Sequence, residues 1–551
     1  MCGIFSVLSK DPIVVSDLRT IGHEFLKSIH RGPDASQLRK LSDTCVVGFH
    51  RLSIMDPSRK GDQPMYSEDD NVCLLCNGEI YNFKELAARY HCQLTSNSDC
   101  EIILRLYETI GIVRTISELQ GVFSFILYDK TMNRLFIGRD PIGVRSLYIG
   151  KSSRYPLCIA SELKSIHQLV DSVETVPPGT LISVDLTTLE QSPHRYYEYN
   201  YPPMELPTLP ESTDELSAHP LFPSLCNQLQ TQLVKAVEAR CIADRPIGCL
   251  LSGGLDSSLV AAIVSRYFLS KNQPLHTFSI GLQGSTDLYY AKQVAEHINS
   301  IHHEVIVTED QMIQAIPSVI SQIESYDTTS VRASTPMVLL CQYIEKHTDI
   351  RVIFSGEGAD EASGSYLYFK NAPSSEDFQQ ETVRLLRDLE YFDVLRSDKS
   401  VSGSGLEVRV PFLDKHFLAY YMSLPPTLKT CTQKVEKFLL RSAFQHDNWL
   451  PDSVLWRQKE AFSDGCSSQS RSWYEIIQEH VNQIIPDEEF EANRHRWTHN
   501  PPQLKESYWY RTLFDSYYPK RESLIPYYWL PKWSEDTQDP SARVLSVYQS
   551  T

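Results

Sequence analysis

The stretch IGCLLSGGLDSSLVAAIVSRYF, residues 247–268, decides the fold of the second half of the chain. Residues 247–251 are a short apolar run of strand type. Two glycines follow within SGGLDSS (residues 252–258), and residues 259–268 continue as an apolar helix. Two glycines after a strand let the backbone turn sharply and approach a ligand closely. Ser257 and Ser258 then open the helix, where unpaired N–H groups and the helix dipole favour an anion. The hydroxyls of Ser252, Ser257 and Ser258 add donors, so phosphate is the natural guest. The loop lacks the lysine and spacing of a Walker A sequence.

Outward from this loop, HTFSIGL (276–282) and VIFSG (352–356) read as further buried strands, and residues 225–240 as a helix. Strand, glycine loop, helix and strand in succession are the grammar of a doubly wound parallel sheet, whose ligands sit at the carboxyl ends of strands. Both SGG and SGEG lie at such ends. Residues 373–446 are helical by pattern, and residues 515–551 read as an irregular tail rich in Tyr, Trp and Pro.

The first half reads differently. TCVVGFHRL (44–52), FSFILYD (123–129) and RLFIGRD (134–140) are strands bounded by turn residues, with helices between them but no steady alternation, which predicts an α+β layered domain. YYEYNYPPMELPTLPESTDEL (196–216) is dense in Pro, Tyr and acids and reads as a linker. The expected division is 2–192, a linker over 193–224, a second domain over 225–514 and the tail.

The chain has 551 residues, 42% hydrophobic and 22% charged, and a net charge of −17. At roughly 100–200 residues per domain that is a multidomain globular protein. The acidic balance disfavours nucleic acid, which repels a chain without a basic patch. No apolar run nears the ~20 residues of a membrane span, and the start lacks the basic region of a signal peptide. The 13 cysteines are odd in number and scattered, which predicts reduced thiols and a cytoplasmic protein. Cys73 and Cys76 form a CxxC without a second pair, so they read as strand cysteines rather than a zinc site.

SGGLDSS in its strand–helix setting resembles the loop of the ATP pyrophosphatases, which split ATP between its α- and β-phosphates. At the other end of the chain, removal of Met1 would leave Cys2 with a thiol nucleophile and an α-amine able to take its proton. CGIF (2–5), HRGPD (30–34), HRLSIMD (50–56) and NGEIYN (77–82) resemble class II glutamine amidotransferases, the N-terminal-nucleophile glutaminases with layered αββα domains. Thioester formation creates an oxyanion that needs preorganised donors, which Asn77 and Gly78 can supply. The resemblance also implies a glutamine pocket of Arg51, Leu52, Ser53, Ile54, Met55, Asn77, Gly78, Glu79 and Asp99. There Arg51 would meet the α-carboxylate, and Asp99 and Glu79 the α-ammonium. The family usually has glycine where this chain has Ser6.

A glutaminase half followed by SGGLDSS resembles the glutamine-dependent asparagine synthetases, as do ESYDTTSVRASTPM (324–337), IFSGEGADE (353–361), GLEVRVPFLD (405–414), LWRQKEAFSDG (455–465) and DPSARVL (539–545). The resemblance implies a ligase that adenylates the β-carboxylate of aspartate with ATP and amidates it with ammonia released at Cys2. It implies a nucleotide site of Leu250, Ser252, Gly253, Gly254, Asp256, Ser257, Ile280, Ser355, Gly356 and Lys459, with Arg409 as a further candidate cation. Glu357 would take part in aspartate activation or ammonia deprotonation. A triphosphate in an acidic protein calls for Mg²⁺, with Asp256 and Asp360 as its carboxylates. A homodimer is also implied, as is an apolar path for ammonia between the sites. Ser365 stands before Tyr366 where the family has glycine, so a left-handed backbone there would be strained. A related synthetase acting on another carboxylate and a catalytically silent assembly-forming relative are the alternatives; the intact residues at both sites argue against the second.

Overall fold

In the computed structural model, residues 1–207, 209–210, 212–430, 435–468, 470–534 and 537–545 are described. The first domain is built on two antiparallel six-stranded sheets. One has Gly3–Leu8 between Leu157–Ala160 and Cys45–Arg51; the other has Gly121–Asp129 between Val72–Ile80 and Arg134–Arg139. Strand alternation explains the layering. Ile4 and Leu8 of one sheet meet Leu75, Ile126 and Ile137 of the other in a core between the sheets. Phe5 and Val7 face the opposite way, in one cluster with Ile21 and Phe25 of the helix Val15–Leu26. On the far face of the second sheet, Leu74, Phe123 and Phe125 pack with Leu86, Ile102 and Leu106 of helices. The order is helix, sheet, sheet, helix. Cys73 and Cys76 fall in different clusters on opposite faces of one strand.

The second domain carries a five-stranded parallel sheet in the order Ile301–Val307, His276–Leu282, Ile247–Leu250, Val352–Phe354, Glu407–Arg409. The chain leaves the central strand Ile247–Leu250 toward one edge, then returns to add strands on the other side. The ends of Ile247–Leu250 and Val352–Phe354 therefore form a switch point, where such sheets bind ligands. The helix after the glycine loop spans Leu255–Leu269 and begins earlier than residue 259, because the loop itself supplies its first turn.

The elements overrun the boundaries expected from composition. The strand Gln191–Arg195 runs past residue 193, the helix Phe222–Ala239 starts before 225 with Pro223 in its first turn, and the helix Lys505–Tyr517 crosses 515. The expected tail contains the short turn Ala542–Val544, and residues 546–551 lie outside the described ones. Among the described residues no helix is long and apolar enough to cross a membrane, and no cysteine is in a disulfide.

The interface between the domains carries a buried charge cluster beside its aliphatic contacts. Arg31 pairs with Glu162 at 2.5 Å and Asp398 at 2.8 Å, and Lys399 with Glu162 at 3.1 Å, all of them buried. Arg139 bonds Glu390 across the same boundary. Each of these six charges has an opposite neighbour, the condition on which buried ions are tolerated.

Candidate active sites

The first site forms at the start of the inner strand Gly3–Leu8 of the first sheet. Gly3 pairs with His50, which brings Cys2 beside the chain leaving the strand Cys45–Arg51. The Cys2 sulfur accepts from the Leu52 N–H at 3.4 Å and lies 3.6 Å from the Leu52 carbonyl. Burial pushes the thiol up to about 11, so it is protonated near neutrality and needs a base. The terminal amine of Met1 is buried, donates to the Leu406 carbonyl at 3.1 Å, and is lowered by that burial to about 6. With Met1 in place the Cys2 nitrogen is a peptide nitrogen, so an α-amine on Cys2 exists only once Met1 is removed.

Asn77 lies on the strand Val72–Ile80 with no exposed surface, and neither its amide nitrogen nor its amide oxygen has a partner. A buried amide left unpaired costs free energy unless a ligand satisfies it. At Gly78 a Cβ would lie 2.2 Å from the Val122 carbonyl oxygen and 2.5 Å from the Phe123 Cα, so only glycine fits. Asp99 accepts from the Ile80 N–H at 2.6 Å, and burial raises its carboxyl to about 7. Burial and the neighbouring Asp99 raise Glu79 well above the ordinary range, against the pull of Arg409 at 3.3 Å. Two carboxyls with a shared preference for the proton make a pocket that gains from an incoming ammonium.

Arg51 is engaged with the loop that follows it. Its guanidinium donates to the carbonyls of Ser58 at 2.9 Å and Asp56, and to Asp62 Oδ1 at 2.5 Å, bracing the loop that follows Leu52, Ser53, Ile54 and Met55. Ser6 sits buried in the strand Gly3–Leu8, paired with Val47 and Ile159, with no backbone departure.

The second site lies at the switch point of the parallel sheet. A pocket there is lined by Leu250, Ser252, Gly254, Asp256, Ser257, Ile280, Ser355, Gly356, Glu357, Asp360 and Lys459, which gathers nearly all the expected nucleotide residues. Gly253 is a backbone device: its φ is +70°, and a Cβ would lie 2.4 Å from the Ala291 nitrogen. Gly356 lets two loops touch, since a Cβ there would lie 2.8 Å from the Ser257 nitrogen. Ser252 Oγ accepts from the Gly254 N–H at 3.3 Å and lies 3.0 Å from Ser257 Oγ, holding the turn in shape. Leu250, Phe278, Ile280, Met337 and Leu340 form an apolar wall suited to a base.

The polar end carries the charges. Asp256 and Asp360 share the ammonium of Lys437, at 2.6–2.7 Å and 2.6 Å, and Lys459 donates to the other oxygen of Asp360 at 2.6 Å. Burial works against ionisation of Asp360, but Lys437 and Lys459 together hold its carboxyl well below the usual range. Glu357 accepts from Arg396 at 2.7 and 3.0 Å; burial nevertheless raises it. Among the described residues no group of three or more His, Cys, Asp or Glu is placed to hold a metal. Asp256 and Asp360 fit the way Mg²⁺ binds with nucleotides, through one or two carboxylates and the phosphates themselves.

Arg409 is not in this pocket. Its strand pairs in parallel with Val352–Phe354, and alternation puts Glu407 and Arg409 on the face toward the first domain. There Arg409 donates to Glu407 at 3.0 Å and to the Ile242 carbonyl at 2.6 Å. The strain expected at Ser365 is absent: Gly364 takes the left-handed conformation at φ +60°, and Ser365 Oγ donates to Asp360 at 2.5 Å. Lys437, Arg396 and Arg457 were missed. Arg457, whose Nη1 donates to the Gly253 carbonyl at 3.2 Å, stands in the LWRQKEAFSDG string itself, two residues before Lys459. Lys437 has no comparable signal.

Comparison with known proteins covers the whole chain. The family model described as asparagine synthase matches residues 228–378 and 370–547, and that described as glutamine amidotransferase domain matches residues 1–201. The chain is 41% identical over 570 residues to "Asparagine synthetase [glutamine-hydrolyzing]" of Gallus gallus, covering 100% of this chain and 99% of that one. It is 41% identical over 567 residues to the protein of that name from Homo sapiens, with the same coverage. A solved glutamine phosphoribosylpyrophosphate amidotransferase from B. subtilis aligns at 16% identity, covering 55% of this chain and 81% of that one, with a TM-score of 0.31.

Proposed function

The chain belongs to the glutamine-hydrolysing asparagine synthetase family, and we propose that its two sites work as one enzyme in which Cys2 frees ammonia and the pocket behind the glycine loop activates aspartate for it. The overall reaction is the ATP-dependent synthesis of asparagine from aspartate and glutamine.

In the first site the Cys2 sulfur attacks the glutamine amide carbon, and the thiol proton passes to the α-amine that removal of Met1 uncovers. The oxyanion takes hydrogen bonds from the Asn77 side chain and the Gly78 N–H. Asp99 and Glu79 receive the substrate α-ammonium. Collapse of the intermediate returns the proton to the leaving nitrogen as ammonia, and water cleaves the thioester to glutamate.

In the second site the apolar wall of Leu250 and Ile280 takes the adenine, while Ser252, Gly253, Gly254 and Ser257 cradle the pyrophosphate. Lys459 faces the α-phosphate. The aspartate β-carboxylate attacks that phosphorus, pyrophosphate leaves, and β-aspartyl-AMP remains. Ammonia attacks the acyl carbon, Glu357 takes a proton, and AMP departs. Asp256 and Asp360 would hold Mg²⁺, which supplies charge neutralisation for the phosphates when bound. We further take the enzyme to be a cytoplasmic homodimer; 13 cysteines, odd in number and scattered along the chain, suit a reducing compartment.

The observation that carries this reading is the pairing, in one chain, of an unpartnered, fully buried Asn77 amide in the first domain with a glycine loop faced by Lys437, Lys459 and two carboxylates in the second. Its test is a product balance. Glutamate, AMP and pyrophosphate should each form in step with asparagine, whereas ADP and phosphate would reject adenylation.

A further inference from the structure

The turn between the helix Phe222–Ala239 and the strand Ile247–Leu250 lies outside the stretch matched as an amidotransferase, yet it grips the glutamine loop. The Asp244 N–H donates to the Ile54 carbonyl at 3.0 Å. Asp244 Oδ2 accepts from the Asp56 N–H at 2.8 Å. Arg245 Nε donates to the Ser53 carbonyl at 2.9 Å, and its Nη2 lies 3.3 Å from Asp34 Oδ2, the oxygen that also accepts from the Ser53 N–H at 2.8 Å.

These bonds take up main-chain groups of residues 53–56, immediately after Leu52, whose N–H faces the Cys2 sulfur. The conformation of such a loop is set by whatever satisfies its polar groups. Its own domain supplies part of this, with Arg51 on the Asp56 and Ser58 carbonyls and Asp34 on the Ser53 N–H, and the second domain supplies the partners of the Ser53 and Ile54 carbonyls and the Asp56 N–H. Beyond Pro246 the same segment becomes the strand Ile247–Leu250 and then the phosphate loop, so one stretch of chain touches the glutamine loop and ends at the nucleotide pocket.

We propose that Asp244 and Arg245 are positioning residues for glutamine: they hold residues 53–56 in the shape that binds substrate beside Cys2, so the glutaminase site is complete only with the synthetase domain in place. The inference rests on the two-site reading given above.

The test uses the full chain. Asp244→Ala and Arg245→Ala are compared with Asp244→Asn, which keeps an acceptor for the Asp56 N–H. Glutamine hydrolysis and asparagine synthesis from ammonium chloride are measured in the same preparations. The expected result for each Ala variant is a rise of about fivefold to tenfold in KM for glutamine, the size of one or two lost hydrogen bonds, with kcat little changed. Asparagine synthesis from ammonia stays at the parent level, and Asp244→Asn recovers most of the lost affinity. An unchanged KM would overturn the proposal. So would a parallel loss of ammonia-dependent synthesis, which assigns the turn to the stability of the second domain alone. Should the parent chain make no asparagine from ammonia, the two-site reading fails, and the KM comparison still decides the role of the turn.

Discussion

The ammonium of Lys437 lies 2.7 and 2.6 Å from the two carboxylate oxygens of Asp256, and this pair closes the polar end of the pocket at the switch point of the parallel sheet. Lys437 is buried, and the same ammonium reaches Asp360. Replacing it with Met leaves two carboxylates facing each other where a polyanion must bind, a penalty of the size seen on breaking a buried ion pair, roughly 3–5 kcal/mol. Lys437→Met should therefore lower asparagine synthesis by at least about 100-fold while glutamine hydrolysis continues. Parallel assays of the two activities check this; equal loss of both would place Lys437 outside the pocket's chemistry.

Cys2→Ala removes the proposed nucleophile without touching the second site. Glutamine-dependent synthesis should vanish and ammonia-dependent synthesis should persist at the parent rate. Loss of both would contradict the division of labour.

Asn77→Ala removes an amide that has no other partner in the fold, so its absence leaves the resting protein little poorer in hydrogen bonds. The effect should fall on the transition state, with glutaminase kcat down by about 100- to 1000-fold, the range for one oxyanion donor. A thermal melt close to that of the parent, together with the lost rate, is the expected pattern.

The buried carboxyls predict a pH effect with a definite sign. Burial raises Asp99 from 3.8 to about 7 and Glu79 higher than its ordinary value, with Arg409 and Glu407 facing them. A folded value above the unfolded one contributes stability that is present below the unfolded pKa and is lost as pH rises through about 7. Binding runs the other way, because the α-ammonium of glutamine needs an ionised carboxylate. KM for glutamine should fall as pH rises through about 7, and Asp99→Asn should weaken binding and flatten that step. A KM that rises over the same window would remove Asp99 from substrate binding.

What could be read from the sequence was what is local. The glycine loop, its flanking strand and helix, and the residues around Cys2 are contiguous strings whose chemistry is visible without a fold. Lys437 was not legible, because its partners Asp256 and Asp360 lie far along the chain and only the parallel sheet brings them together. Asp244 and Arg245 escaped for the same reason: their bonds cross to the other domain. Arg409 is a candidate cation for the phosphate or the intermediate by charge and string, and the alternation of its strand turns it toward Glu79 instead. The charged cluster between the domains was equally hidden, since Arg31 and Glu162 lie far along the chain from Asp398 and Lys399.

Isotope tracing of oxygen tests the two-site reaction most directly. Aspartate labelled with ¹⁸O in its β-carboxylate is supplied with ATP and glutamine, and the products are separated by mass. Attack of that carboxylate on the α-phosphorus predicts one labelled oxygen in AMP for each asparagine formed. Label in inorganic phosphate, with ADP as the nucleotide product, would contradict it.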